Sequence, residues 1–282
     1  MFSRGATVAI AFLLVLVPIA ANAAIMTFTA SGSNAAAIQA TVDAYRAALG
    51  ANNGVGGSFP GGRREINWDG TPAAFSAPNN LPPDFFNVNS PRGVVFSTPG
   101  TGFQVSGDGS SAASPLEFAN LNPTYPDHFT TFSPVKLFTP LGSNVTDVSF
   151  FLPGTSTPAT TRGFGAVFTD VDLANTSSIT AFDANGTSLG TFFVPAQNQG
   201  LSFLGLLSDG STPFFGRVRI TTGNAAPGPN ESATVDVAVM DDFIYGEPTA
   251  VPEPTTLLLI GSALVGLGAR RLTQAVRRLT GR

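Results

Sequence analysis

Carboxylates are the residues of this chain whose type and spacing best equip them for chemistry. Asp241 and Asp242 end the apolar run Val237-Ala238-Val239-Met240 and are followed at once by Phe243. Two acids at that position can offer oxygens to a hard cation such as Ca²⁺, which gathers several carboxylate and carbonyl ligands. Asp170 and Asp172, in Thr169-Asp170-Val171-Asp172, form a second candidate oxygen cluster, although the glycine of an EF-hand loop is missing. The competing reading of both pairs is strand-end aspartates that cap turns or face water. A third concentration of polar chemistry lies in Arg63-Arg64-Glu65-Ile66-Asn67-Trp68-Asp69, which holds the only tryptophan. An exposed Trp68 could stack on a sugar face while Asn67 and Asp69 bond its hydroxyls. Glu65 and Asp69 could also stand as the two carboxylates of a glycosidase, whose outcome is set by their separation. The plainer alternative is a buried Trp68 on a strand whose ion pairs anchor the long loops that follow.

Other chemistries are excluded by what is missing. The chain has no cysteine, so thiol nucleophiles, Cys-ligated zinc and dithiol redox motifs are ruled out. His128 is the only histidine; it sits in the Pro-rich stretch Tyr125-Pro126-Asp127-His128, and no Gly-x-Ser-x-Gly elbow accompanies it. The glycines of residues 54–57 and 61–62 follow a helix and precede a strand, the wrong order for a nucleotide-binding loop.

The elements that must position these residues are mostly strands. One helix is legible over residues 34–49: Ile38, Val42, Tyr45 and Leu49 recur on one face, Ser33 or Asn34 can cap its start, and Gly50 stands at the C′ position. Beyond it the period becomes two. Strands are predicted over residues 25–29, 65–68, 94–97, 103–106, 145–152, 164–171, 178–182, 189–194, 201–206, 217–221 and 234–245. Asp183-Ala184-Asn185-Gly186 reads as a hairpin turn with glycine in the left-handed position. Residues 70–134, dense in Pro, Gly, Ser and Asn, read as long loops laid across the sheet. The expected class is mainly β: an antiparallel, jelly-roll-like β-sandwich with one N-terminal helix.

The formal charge of −4 conceals a segregation. Residues 24–250 carry seven Arg and one Lys (Lys136) against seventeen acids, a net of −9, whereas the residues from 251 onward carry five Arg against Glu253. An acidic body without a basic stripe excludes nucleic acid as a partner, because such binding needs clustered cations to displace counterions.

Both ends read as addressing segments. Arg4, an apolar run over residues 6–20 and then Ala21-Asn22-Ala23 form a secretory signal peptide, residues 1–23, cut by signal peptidase after Ala23. At the other end stand Val251-Pro252-Glu253-Pro254, an uncharged stretch to Ala269, and Arg270-Arg271 with Arg277-Arg278 behind them. Pro252 and Pro254 keep a helix from running back into the body. The sixteen uncharged residues 254–269 rise about 24 Å as a helix, a little short of the hydrocarbon core, and the arginines can snorkel across the difference. With arginines at both outer ends held inside, the body between must lie outside the cytoplasm.

Residues 251–282 resemble the PEP-CTERM sorting signal of exported bacterial proteins: a Pro-Glu-Pro box, one transmembrane helix and a basic tail. The resemblance implies processing by exosortase, transient anchoring in the inner membrane with the body in the periplasm, and final placement at the cell surface or in the extracellular matrix. It also implies proximity to exopolysaccharide. Asp241-Asp242-Phe243 in turn resembles the closing strand of jelly-roll carbohydrate-binding modules, where an aspartate helps hold a structural Ca²⁺ against the N-terminal strand. Residues 24–250 are therefore expected to form one exported domain, a non-catalytic structural or carbohydrate-contacting module; the alternative is an exported glycan-active hydrolase.

Overall fold

A computed structural model describes residues 25–210 and 215–251. The expected signal peptide with Ala21 and Ala23, the Pro252-Glu253-Pro254 box and the helix expected after it lie outside the described residues. Among the described residues no helix is long and apolar enough to cross a membrane.

The strands, in chain order, are β1 (Ile25–Gly32), β2 (Arg63–Ile66), β3 (Val94–Ser97), β4 (Gly102–Val105), β5 (Phe138–Leu141), β6 (Val145–Phe150), β7 (Ala159–Thr160), β8 (Gly163–Val171), β9 (Ser178–Phe182), β10 (Ser188–Phe193), β11 (Gln197–Ser208), β12 (Arg217–Thr221), β13 (Val239–Gly246) and β14 (Thr249–Ala250). They pair antiparallel into a seven-stranded sheet, β1-β11-β8-β13-β5-β4 with β2 also on β13, and a five-stranded sheet, β10-β9-β12-β6-β3. The short pair β14-β7 stands apart. The main core forms between the two large sheets. Phe103, Phe138, Phe164, Phe168, Phe243 and Tyr245 from the first meet Phe96, Val148, Phe150, Ile179 and Val218 from the second. The protein is thus mainly β and antiparallel, a sandwich larger than the eight strands of a jelly roll.

A third layer is the helix α1 (Ala35–Leu49), started by the Asn34 side chain, which accepts from Ala37 N at 3.2 Å, and ended by Gly50 at φ 104°. It lies on the outer face of the seven-stranded sheet, burying Ile38, Val42, Tyr45 and Leu49 against Val167, Leu201, Phe203, Leu207 and Ile244. The seat is built by Gly165 and Gly205, paired across β8 and β11: a Cβ on either would lie 2.9 or 2.8 Å from the Tyr45 ring. Tyr45 Oη donates to Leu206 O at 2.9 Å. Because both faces of this sheet are covered, β8 and β13 are buried along their whole length, which explains the apolar runs Gly163–Phe168 in β8 and Phe243–Gly246 in β13.

Strand β13 changes partners midway. Its edge pairs with β5 at Met240 and with β2 from Phe243 to Gly246, and its register against β8 slips between Met240 and Phe243. Asp241 and Asp242 occupy that break, a β-bulge. The expected strand over 65–68 ends at Ile66, and Trp68 begins a 3₁₀ turn, Trp68–Gly70. Within the region 70–134 the strands expected over 94–97 and 103–106 form as β3 and β4, and the short helix α2 (Phe85–Val88) adds order beyond the expected loops. It also supplies a satellite core in which Phe118, Tyr125 and Phe129 pack on Leu137, Val237 and Val239.

Candidate functional site

The bulge in β13 brings Asp241, Asp242, Asn67 and Trp68 together. Asp241 is fully buried and its carboxylate faces donors: Phe132 N at 2.6 Å, Ser133 N at 3.2 Å and Asp242 N at 2.8 Å. The Ser133 hydroxyl lies 3.2 Å from Asp241 Oδ1 and 2.9 Å from Asp242 Oδ1, while Asn67 Nδ2 donates to it at 3.0 Å. Arg46, on α1, stands 3.5 Å from Asp242 Oδ2 and binds Glu65 at 3.0 Å, and Arg63 holds Glu65 from the other side at 2.6 Å. A cation site needs surrounding oxygens; here backbone N–H groups, the Ser133 hydroxyl and the Arg46 guanidinium lie around the two carboxylates. The Asp241 carboxylate thus supplies acceptors where a strand has lost its partner, and its contacts are N–H and O–H donors where the calcium reading expects carbonyls. Burial, then the neighbouring Asp242 charge, pushes Asp241 well above the usual carboxylate range. Burial likewise raises Asp242 to about 6 against the pull of Ser133, Asp241 and Arg46.

Trp68 is also fully buried. Its ring stacks on Phe138 at 4.2 Å and 4°, meets Phe86 and Phe243 edge-on, and its Nε1 donates to Asp241 O at 2.8 Å. The expected sugar-stacking platform is therefore absent, because no face of the indole reaches water. Asn67 caps the 3₁₀ turn through Asp69 N, and Asp69 Oδ1 accepts from Lys136 N at 2.7 Å. The polar residues of this segment tie down chain. Arg64, fully buried, donates to Glu247 through Nε and Nη2 and to the carbonyls of Gly54, Gly56 and Gly57, which uses every N–H it has. The loop so anchored precedes β2; the sequence suggested loops after it.

A second acid cluster forms where β8 ends. Asp170 and Asp172 meet Glu231, from the loop between β12 and β13, with one carboxylate oxygen of each lying within 4.8 Å of the others. Asp170 takes a left-handed backbone, φ 61°, beside the irregular start of β11, and its Oδ1 accepts from Gln199 N at 2.7 Å. Glu231 Oε1 accepts from Val237 N at 2.8 Å. Asp236 is turned elsewhere, accepting from the backbone of Asp172 and Leu173 and from the Thr176 hydroxyl. Burial, then the Asp172 charge, raises Asp170 to about 7; burial, with Asp172 alongside, raises Glu231 to about 8. Sequence reading singled out Asp170 and Asp172 but missed Glu231, which lies in a Gly-, Pro- and Asn-rich loop with no periodic signal.

A cleft of about 540 Å³ opens between β3 and β4, walled by Asn80, Pro82, Phe96, Thr98, Thr101 and Phe103; no titratable side chain lines it.

Comparison with known proteins adds one informative match: residues 250–272 match the PEP-CTERM protein-sorting motif. The chain thus carries the sorting signal of exported, exosortase-processed proteins. No curated protein matches the sequence. Among solved structures, the enzymatically active domain of tailspike protein 4 from bacteriophage CBA120 is similar at 12% identity and a TM-score of 0.23, over 65% of this chain and 22% of that one. The chain spans about a fifth of that protein's length, and so slight a likeness carries no argument.

Proposed function

We propose that this chain is an exosortase-sorted exported protein whose β-sandwich body serves, without catalysis, as a cell-surface or extracellular-matrix component in contact with exopolysaccharide. The sorting motif over residues 250–272 is the observation that carries the reading. The layout of the chain supports it: an N-terminal signal, an acidic body and a basic C-terminal tail agree with a body delivered outside the cytoplasm. The carboxylates that a glycan hydrolase would need near Trp68 support a structural role, since Glu65 is held by two guanidiniums and Asp69 by the backbone of Lys136. In this reading signal peptidase cuts after Ala23, the C-terminal helix holds the chain in the inner membrane, and exosortase removes it.

Intact-mass measurement with cell fractionation tests the address. In a host with exosortase the mature protein should begin at Ala24, lack the segment after the Pro252-Glu253-Pro254 box, and leave the inner membrane. Replacing Pro252, Glu253 and Pro254 by alanines should make the uncut form accumulate in that membrane. A mature species that keeps Arg282 would reduce the segment to an ordinary anchor. Release of reducing ends from the host polysaccharide by purified protein would favour the hydrolase instead.

A further inference from the structure

The Asp170, Asp172 and Glu231 cluster gathers three carboxyl groups at one point, and among the described residues no Arg or Lys forms an ion pair with it. Asp170 has no solvent exposure, and Asp170 Oδ2, Asp172 Oδ1 and Glu231 Oε2 are buried atoms without a hydrogen-bond partner. His128 Nδ1 is 3.8 Å from Asp170 Oδ2, beyond hydrogen-bond reach. Buried acceptors left in this way cost stability unless something satisfies them. Two of the three carboxylates are also held in place: a backbone N–H fixes Asp170 Oδ1 and another fixes Glu231 Oε1, so in each the second oxygen is left free in a defined position.

We propose that Asp170, Asp172 and Glu231 bind a divalent cation of the calcium class. The donor set is all hard oxygen, which suits Ca²⁺ and not the thiolate- and imidazole-seeking metals. The size agrees as well: with Ca–O distances of about 2.3–2.6 Å, two ligands of one ion lie at most about 5 Å apart, and the three side chains offer oxygens within 4.8 Å of one another. The ion would join the end of β8 to the loop between β12 and β13, which now holds by polar contacts such as Asn122 Nδ2 to Asn230 Oδ1 at 2.8 Å and Tyr125 Oη to Pro229 O at 3.0 Å. A cysteine-free exported chain would thereby gain a cross-link that forms only where calcium is plentiful.

The test uses the full chain, purified in detergent and stripped with chelator. Calorimetric titration with CaCl₂ should show one site with a Kd on the order of 10⁻⁴ to 10⁻³ M, the range of extracellular calcium modules. About 10 mM Ca²⁺ should raise the melting temperature by several degrees while equal Mg²⁺ leaves it in place. Asp172→Asn and Glu231→Gln should each weaken Ca²⁺ tenfold or more. In chelator, their melting should stay level or rise as like charges are relieved, which distinguishes lost ligation from damaged folding. Wild-type protein that gives no binding heat and melts alike in Ca²⁺ and chelator overturns the proposal, leaving an acid cluster that shares protons. A double variant that still responds like wild type overturns it too, since the ion would sit elsewhere.

Discussion

The single tryptophan fixes several things at once. Trp68 closes the core between the sheets, and its indole N–H takes the Asp241 carbonyl that the bulge in β13 leaves without a strand partner. Trp68→Ala should therefore cost about 3–5 kcal/mol, the usual range for a large aromatic removed from a core; chemical denaturation would measure it. Emission from native protein should be blue-shifted, resist quenching by acrylamide, and ignore added polysaccharide. A red-shifted, readily quenched emission would mean that the ring does meet solvent. The sequence shows why this was hard to read in advance. Trp68 is flanked by Asn67 and Asp69, which suggests a wet surface, yet a 3₁₀ turn buries the ring and leaves its neighbours to cap and tie the backbone. Asp241 and Asp242 stood out as acids at the end of an apolar run, but their purpose depends on β5 and β2 exchanging places along β13, an event with no local signature.

Elements that rest on local rules were the legible ones. The helix α1 follows from a 3.6-residue apolar period and its two caps, and β8, β9, β11 and β12 from runs of apolar or alternating residues. The strand β5 escaped because Pro140 interrupts a short run, and proline demotes a strand prediction. That α1 would form a third layer depended on two glycines far apart in sequence, Gly165 and Gly205, meeting in register beneath Tyr45. This yields a direct test. In Gly205→Ala the added carbon would lie 2.8 Å from a ring already held by its hydroxyl on Leu206 O and edge-packed on Phe28 and Phe203. The strain should cost about 1–3 kcal/mol, as overpacking of a filled core does. At about 2–4 °C per kcal/mol for a domain of this length, the melting temperature should fall by several degrees. Unchanged melting would mean that Tyr45 moves freely and that α1 is only loosely seated.

For the molecule as a whole, the consequence of an acidic body is a stability that depends on pH in an unusual direction. Most carboxylates in folded proteins gain from ionisation, and stability then falls in acid. Here burial raises Asp242 to about 6, Asp170 to about 7 and Glu231 to about 8, and lifts Asp241 and Asp236 as well. Each of these groups has a folded-state value above the ordinary carboxylate value of about 4. Between the two values the native state holds protons that the unfolded chain has released, so stability is greatest below about pH 4 as far as these groups go, and is lost as pH rises through 6 to 8. Asp108 works the other way, lowered to about 2 by hydrogen bonds from Ser110, but it is fully exposed and solvent screens it. The net charge of the body points in the same direction, because mutual repulsion among its acids grows as they ionise. In chelator, then, the melting temperature should fall by several degrees between pH 5 and pH 8. Asp242→Asn should flatten the lower part of that fall, where its own carboxyl gives up its proton. Saturating Ca²⁺ should flatten the upper part, since an ion on Asp170 and Glu231 replaces the protons that otherwise quiet them. Scanning calorimetry across that interval, with and without Ca²⁺, separates the two contributions; melting that instead rises from pH 5 to pH 8 would mean that the buried carboxylates ionise at no cost to the fold.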